Sequence, residues 1–156
     1  MTSLPECDSE TARVARAAPP GPEAVVEVAP ASGSRPRPER SGARIVSPGR
    51  PDVYLVDPAG YRRRIPNHTT YCRLFRDWRG ISDADDLDEI AEGLPFKSAT
   101  ILVRGDAAAR IYLLDNGRKR LVPSDTVMDK YWFNWGRICV VRQILIDHVP
   151  EGDLWE

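Results

Sequence analysis

The sequence predicts an α+β fold in which two tandem βββα repeat units pack into one small domain, preceded by a disordered N-terminal tail. Three observations support this prediction. One stretch of chain occurs twice, both copies show the same order of strand and helix patterns, and the start of the chain lacks aromatic residues. The predicted boundaries are residues 1–40 for the tail, 41–98 for the first unit and 99–156 for the second.

The predicted tail is rich in proline and alanine. Residues 1–40 contain no Phe, Trp or Tyr and hold seven of the fourteen prolines. A segment of this composition buries too little apolar surface to offset the entropy that ordering it would cost. The sequence therefore predicts disorder before residue 41.

Residues of the first half recur in the second half at a nearly constant spacing. The spacing is 58 before a predicted turn and 57 after it. A length change inside a loop, with matched flanks on both sides, is typical of a duplicated structural unit. The matched pairs are Tyr54/Tyr112, Leu55/Leu113, Asp57/Asp115, Gly60/Gly117, Arg63/Arg120, Pro66/Pro123, Thr69/Thr126, Trp78/Trp135 and Ile81/Ile138.

The second copy shows the elements of the unit most clearly. Turn residues separate three predicted strands, at residues 99–104, 110–115 and 118–122. Asn116-Gly117 predicts a type I′ hairpin turn, because these residues tolerate positive φ. Pro123 ends the third strand and Ser124 caps a helix. The apolar face of that helix is Met128, Tyr131, Trp132 and Trp135, and an apolar stretch at 138–146 follows it.

The first copy has the same order of elements. Its predicted strands are residues 43–46, 53–56 and 61–65, and Gly60 lies in the loop between the last two. Asn67 is the predicted helix cap. The helix face consists of Tyr71, Leu74, Phe75 and Trp78, which are the same four positions as in the second copy.

An acidic run at residues 82–89 suggests a calcium loop but does not have its pattern. Leu87 stands at a ligand position, Asp88 replaces the turn glycine, and Leu94 replaces the bidentate glutamate. We expect instead a short helix that begins at Ser82 and ends near Gly93. The sequence predicts no metal site, no cofactor and no catalytic motif, and hence no enzyme.

Basic residues recur on the third strand of each copy and are candidate ligand-binding residues. They could form a site for nucleic acid or another anion, or they could solvate an exposed strand, which is the interpretation we favour. The net charge of −1 gives no overall signal for nucleic acid. The six residues are Arg62, Arg63, Arg64, Arg118, Lys119 and Arg120.

The aromatic residues divide into matched and unmatched positions. Tyr54/Tyr112 and Trp78/Trp135 are matched pairs, and equivalent aromatics in two copies are typical of core positions. Trp132 and Trp155 have no tryptophan counterpart in the first copy. We therefore predict that Trp132 and Trp155 make surface contacts with a ligand.

The second copy resembles a short tandem repeat of bacterial extracellular and surface-layer-associated proteins. The resemblance covers roughly residues 42–156, and it implies an adhesive or spacer role rather than catalysis. The motifs that carry it are Ile-Leu-Val-Arg-Gly at 101–105, Ile-Tyr-Leu-Leu-Asp-Asn-Gly-Arg-Lys-Arg-Leu-Val-Pro-Ser at 111–124, Phe-Asn-Trp at 133–135 and Val-Pro-Glu-Gly at 149–152.

These features predict a non-enzymatic interaction module whose ligand is a protein partner or a cell-wall glycan. The alternative is an intracellular nucleic-acid or anion-binding protein that uses the basic third strands. The first residues lack the pattern of a signal peptide, which predicts a cytoplasmic location, with the cell surface by an unconventional route as the alternative. No apolar run predicts membrane insertion. The many arginines, alanines and prolines are typical of a GC-rich, actinobacterial genome.

Overall fold

The computed structural model describes residues 33–156, which form a mixed α+β fold with two four-stranded sheets and short helices. Both sheets have the same topology: the first three strands are antiparallel, and the fourth pairs in parallel with the first. The first sheet contains β1 (Arg44–Val46), β2 (Val53–Val56), β3 (Arg62–Arg64) and β4 (Ser82–Asp83), in the order β3-β2-β1-β4. The second contains β5 (Ile101–Gly105), β6 (Ile111–Asp115), β7 (Arg118–Val122) and β8 (Cys139–Val141), in the order β7-β6-β5-β8.

The predicted hairpin turn between β6 and β7 is confirmed. Asn116 and Gly117 have φ of 51° and 81°, as the type I′ turn requires. Asp115 pairs with Arg118 across this turn, which fixes the register of the whole hairpin. The local sequence therefore specifies how these two strands pair.

Both predicted helix caps are also confirmed, but the helices are shorter than their apolar patterns suggest. Helix α1 (His68–Leu74) begins after Asn67, whose side chain accepts a hydrogen bond from the N–H of Thr70 at 2.8 Å. Helix α2 (Asp125–Lys130) begins after Ser124, whose side chain accepts from the N–H of Val127 at 3.3 Å. Trp132 has a φ of 59°, a left-handed conformation that does not continue a helix.

The short helices overturn one prediction. Trp78 and Trp135 lie beyond the ends of α1 and α2, and their exposed fractions are 46% and 43%. They are surface residues, not the matched core pair that the helical period predicted. Tyr54 and Tyr112, the other matched aromatic pair, are buried as predicted.

A fourth strand in each sheet leaves the predicted βββα unit unconfirmed. Ser82 does not start a helix: it lies in β4 and pairs with Ile45 of β1. The N–H of Ala84 donates to the carbonyl of Val46 at 2.8 Å. The only helical turn in the acidic run is a 3₁₀ helix at Leu87–Glu89. In the second half, the apolar stretch after α2 divides into strand β8 and helix α3 (Gln143–Asp147).

Each sheet is completed by a segment that returns along the edge of its third strand. Beside β3, the N–H of Arg62 donates to the carbonyl of Ala91 at 2.9 Å, and the N–H of Gly93 donates to Arg62 at 3.0 Å. Beside β7, the N–H of Lys119 donates to Pro150 at 2.9 Å, and the N–H of Gly152 donates to Lys119 at 2.9 Å. The two returning segments therefore cover otherwise unpaired strand edges in the same way.

One core lies between the two sheets and joins them. One face of each sheet contributes to it, and the opposite face is covered locally: by Leu87 and Ile90 in the first half, and by Ile146 and Val149 in the second. The shared core contains Leu55, Ile65, Tyr71, Leu74, Phe75, Phe96, Leu102, Leu113, Val122, Met128, Tyr131, Phe133 and Trp155.

Residues on the N-terminal side of the predicted boundary at residue 41 are part of the fold. The N–H of Arg35 donates to Glu89 at 3.0 Å, the N–H of Arg37 donates to Gly60 at 2.8 Å, and residues Pro38–Arg40 form a 3₁₀ helix. These residues supply backbone partners to the first sheet, and composition alone did not reveal this. The rest of the predicted tail, residues 1–32, lies outside the described residues.

The described helices are also short in relation to a bilayer. Between residues 33 and 156, none is long and apolar enough to cross a membrane.

Candidate ligand-binding site beside Trp78

Three of the six basic candidate residues are buried and bind the protein's own chain. Arg62 donates from Nε to the carbonyl of Ile90 at 2.9 Å, and its guanidinium lies 5.0 Å from the ring centre of Tyr54. Lys119 occupies the matched position of the second sheet, where it donates from Nζ to the carbonyl of Ile146 at 3.1 Å. The third is Arg63, only 4% of which is exposed. The expectation that these three residues solvate an exposed strand is therefore wrong.

Arg63 connects the two sheets through a buried ionic network. Its Nη2 donates to both carboxylate oxygens of Asp115, at 2.8 and 3.0 Å, and its Nη1 lies 3.4 Å from Oδ2 of Asp57. Arg120 donates from Nε to Asp115 at 3.0 Å. Burial raises the pKa of the Asp57 carboxyl, although the neighbouring Arg63 opposes this effect. The network links the two sheets, and its cationic groups are already paired with buried carboxylates.

Trp155 is a core residue rather than the predicted surface contact. Only 1% of it is exposed, and its ring lies against those of Phe96, Tyr131 and Phe133. The backbone N–H of Trp155 donates to the carbonyl of Leu121 at 2.9 Å. The segment that returns along β7 therefore places the indole in the core. The sequence alone could not show this, because the return depends on a strand edge formed earlier in the chain.

Trp132 is half-buried and is also bound internally. Its indole N–H donates to Oδ1 of Asp77 at 3.0 Å, and this hydrogen bond is the main reason that the pKa of the Asp77 carboxyl is lowered. The guanidinium groups of Arg44 and Arg76 lie 5.6 and 4.8 Å from the Trp132 ring. These contacts make Trp132 a link between the two halves of the domain.

Arg64 does not itself line a described pocket, but it forms an ion pair with Asp52, which does. Its side chain is 43% exposed, and its Nε lies 3.2 Å from Oδ1 of Asp52. Arg118 and Arg120 are half-buried, and Arg118 donates to the carbonyl of Glu151 at 3.1 Å. Arg64 and Asp52 thus form a partly exposed ion pair at the edge of the first sheet.

The pocket beside this ion pair has a volume of about 310 Å³. It lies between the strand edge formed by β2 and β3 and the start of α1. We name it the Trp78 pocket. Its lining residues are Pro51, Asp52, Val53, Ile65, Pro66, Asn67, His68, Tyr71 and Trp78.

A stack of aromatic rings supports one wall of the Trp78 pocket. The ring centres of Trp78 and Tyr71 are 3.9 Å apart and nearly parallel, and those of Trp78 and His68 are 5.1 Å apart. The Tyr71 hydroxyl donates to the carbonyl of Asp77 at 2.6 Å and accepts from Arg44 at 2.7 Å. Burial raises the pKa of this hydroxyl. The exposed indole of Trp78 is thereby held against a ring that cannot turn freely.

The polar groups of the pocket differ in their availability. Asn67 is used as the helix cap: its amide oxygen accepts from Thr70, and its amide nitrogen donates to Ser98 at 3.1 Å. Among residues 33–156, the side chains of Asp52 and Arg64 form an ion pair with each other and have no other polar side-chain contact. Together with the exposed His68 ring, which contacts Trp78 and the sulfur of Cys72, they are the polar groups that a ligand could reach.

The Trp78 pocket is a feature of the first half of the chain. Framework positions around it are shared between the halves, such as Pro66 with Pro123 and the capping residues Asn67 and Ser124. Apart from Trp78, which matches Trp135, several positions at or beside the pocket are not shared. The differing pairs are Pro51/Ala109, Asp52/Arg110, Arg64/Leu121, His68/Asp125 and Tyr71/Met128.

Comparisons with protein-family models, with curated proteins and with solved structures found no match to this chain. The resemblance to the short tandem repeat of bacterial surface proteins therefore remains a prediction. Among residues 33–156, no group of three His, Cys, Asp or Glu side chains could hold a metal ion.

Sequence reasoning missed the Trp78 pocket because it treated matched aromatics as core. The available signal lay in the residues around Trp78, which differ between the halves although Trp78 itself is matched.

Proposed function

We propose that this protein is a non-enzymatic interaction module built from two copies of one unit, and that the Trp78 pocket binds its ligand, a protein partner or a cell-wall glycan. Each unit would comprise three antiparallel strands, a helix and a parallel fourth strand. The observation that carries the proposal is the exposed indole of Trp78, supported by Tyr71 and His68 beside a pocket of about 310 Å³. An exposed aromatic at a pocket is typical of a recognition surface.

The different locations of shared and unshared residues support this proposal. Shared residues such as Asp115 and Tyr112 are buried and hold the sheets together. Unshared residues such as Asp52 and His68 lie at the pocket. A scaffold whose framework repeats while one surface varies is suited to binding, because the variation does not disturb the core.

The burial of three of the six basic residues favours the interaction module over the nucleic-acid alternative. Phosphate binding requires cationic groups that face solvent and can release counterions. Arg62, Arg63 and Lys119 are instead bound to carbonyl or carboxylate groups of the protein itself. We therefore do not propose a nucleic-acid function for the third strands.

Co-sedimentation of the full chain with purified bacterial cell walls tests the proposal. The walls are used before and after wall-bound proteins have been stripped with detergent and protease, which separates a glycan ligand from a protein ligand. We expect the protein and its Trp135→Ala variant to sediment with at least one preparation, and Trp78→Ala to remain in the supernatant. Trp135→Ala is the matched control because Trp135 is also exposed but does not line the Trp78 pocket.

Two outcomes would contradict the proposal. One is a sedimentation result: the unaltered protein sediments with neither wall preparation, or the Trp78→Ala variant sediments as well as the unaltered protein. The other is turnover of model ester, phosphate or glycoside substrates by the purified chain that is lost in Trp78→Ala, since this would make the pocket an active site.

A further inference from the structure

We propose that the Trp78 pocket recognises an uncharged saccharide, whose ring packs on the Trp78 indole and whose adjacent hydroxyls bind the Asp52–Arg64 ion pair. This inference rests on the proposed function and names the class of ligand at the same site. It is drawn from three properties of the pocket: its aromatic wall, the pairing of its charges and its size.

The aromatic wall supplies the apolar half of the recognition. A sugar ring has C–H faces that pack against an aromatic side chain, and Trp offers the largest such surface. The indole of Trp78 is 46% exposed, so a ligand can cover it without moving the core. Tyr71 is almost completely buried behind it and is fixed by two hydrogen bonds. Little side-chain entropy is then lost on binding.

The ion pair supplies the polar half. A carboxylate accepts hydrogen bonds and a guanidinium donates them, whereas a hydroxyl does both. Two neighbouring hydroxyls of one ring can therefore donate to Asp52 and accept from Arg64 at the same time. The Arg64 Nε lies 3.2 Å from Asp52 Oδ1, so the two groups are close enough to contact adjacent hydroxyls.

The balance of charge favours an uncharged ligand. The positive charge of Arg64 is compensated by Asp52, and no second ion pair of the described residues includes either side chain. A phosphate or carboxylate would be repelled by Asp52, and an ammonium group by Arg64. Neutral hydroxyls satisfy both side chains without leaving an unpaired charge.

The size of the pocket favours a short saccharide over an extended peptide. A volume of about 310 Å³ lies at the low end of the roughly 300–1,000 Å³ that ligand pockets occupy. Pro51 and Pro66 also line the pocket, and prolines beside aromatics occur where Pro-rich peptides dock. A Pro-rich peptide is therefore the competing ligand that the experiment must include.

Isothermal titration of the full chain tests the inference with four probes: the tetrasaccharides of N-acetylglucosamine, of β-1,4-glucose and of α-1,4-glucose, and a decaproline peptide. We expect at least one tetrasaccharide to bind, with an affinity that changes little between low and high salt because no counterions are released. Trp78→Ala should weaken this binding by about tenfold or more. Trp135→Ala should bind as the unaltered protein does.

A second pair of variants tests the polar half. Asp52→Asn should weaken saccharide binding by about tenfold, because a hydrogen bond to a charged group is replaced by a weaker one. Arg64→Leu should have a similar effect, and it places at this position the residue that the second half carries as Leu121. Thermal melts of both variants show whether they remain folded; at an exposed pair we expect little change.

The outcomes separate this inference from the proposed function. Decaproline binding that is lost in Trp78→Ala, with no tetrasaccharide bound, overturns the saccharide class and leaves the binding module standing. Wall sedimentation that depends on Trp78, with no probe bound, also overturns the uncharged saccharide. Binding of none of the probes, together with no wall sedimentation, overturns both. Tetrasaccharide binding that is unchanged in Asp52→Asn and Arg64→Leu overturns the role of the ion pair.

Discussion

Phe75 and Phe133 pair with each other at the centre of the domain, where the chain leaves α1 and α2. They form an antiparallel bridge, flanked by hydrogen bonds from the N–H of Arg76 to the carbonyl of Trp132 at 3.1 Å and from the N–H of Asn134 to that of Leu74 at 2.8 Å. Their ring centres are 5.7 Å apart. Backbone pairing and ring contact at one point join the two halves into one folding unit.

Replacement of Phe133 by Ala should therefore destabilise the whole domain. The substitution removes the ring contacts of Phe133 and leaves a cavity in the shared core, which costs about 3–5 kcal/mol for a fully buried Phe. Urea denaturation followed by circular dichroism measures the change. Trp135→Ala, two residues further along and exposed, should change the free energy of unfolding by no more than about 0.5 kcal/mol. Two separate transitions for the two halves in Phe133→Ala would show that the pairing is not what unites them.

Neighbouring arginines on β3 should differ sharply in their contribution to stability. Arg63→Ala removes one of the two arginine partners of buried Asp115 and the contact of Arg63 with Asp57. Breaking a buried ion pair costs about 3–5 kcal/mol, and the remaining Arg120 should keep the loss near the lower value. Arg64→Ala breaks an ion pair whose two side chains are partly exposed, and such a pair is worth about 0–1 kcal/mol. Denaturant titration of both variants measures the difference. Equal effects would mean that the network between the sheets is not buried as described.

Two glycines test whether the residues before the first strand belong to the domain. Gly49 and Gly60 have φ of 79° and 92°, so alanine strains the backbone at either position by about 1–2 kcal/mol. A Cβ at Gly60 would also overlap the backbone of Arg37 and Pro38, whereas one at Gly49 would meet open space. Gly60→Ala should therefore lower the melting temperature more than Gly49→Ala. Equal losses would indicate that Arg37 and Pro38 do not rest on the first sheet.

The domain should lose stability in alkaline solution through Tyr131. Burial raises the pKa of its hydroxyl above the ordinary value of 10.0, and this hydroxyl donates to the carbonyl of Glu156 at 2.8 Å. Above about pH 10, the unfolded chain releases this proton while the folded chain retains it. The folded state then binds more protons, so the free energy of unfolding falls as the pH rises through this window.

Tyr131→Phe removes this titration and isolates its effect. Tyr71, whose pKa is also raised by burial, remains in the variant and keeps part of the alkaline loss. Urea denaturation at a series of pH values from neutral to alkaline should show a shallower decline for Tyr131→Phe than for the unaltered protein. Parallel declines would contradict the burial of the Tyr131 hydroxyl.

The sequence alone determined those features that depend on near neighbours in the chain. Asn116-Gly117 specifies its turn through backbone φ preferences, and Asn67 and Ser124 cap their helices with hydrogen bonds that span three residues. The α+β class follows from the same local signals, because each predicted strand in the two halves is present with small changes in its bounds.

Tertiary structure decided the environment of each side chain. The alternation of strand residues places Arg63 on the opposite face from Arg62 and Arg64, but only the second sheet, with Asp115, makes that face a buried ionic site. Trp155 is buried because its segment returns along β7, and Trp78 is exposed because α1 ends before it. Burial depends on contacts between residues far apart in the chain, and the helical pattern alone did not indicate that Trp78 lines a pocket instead of the core.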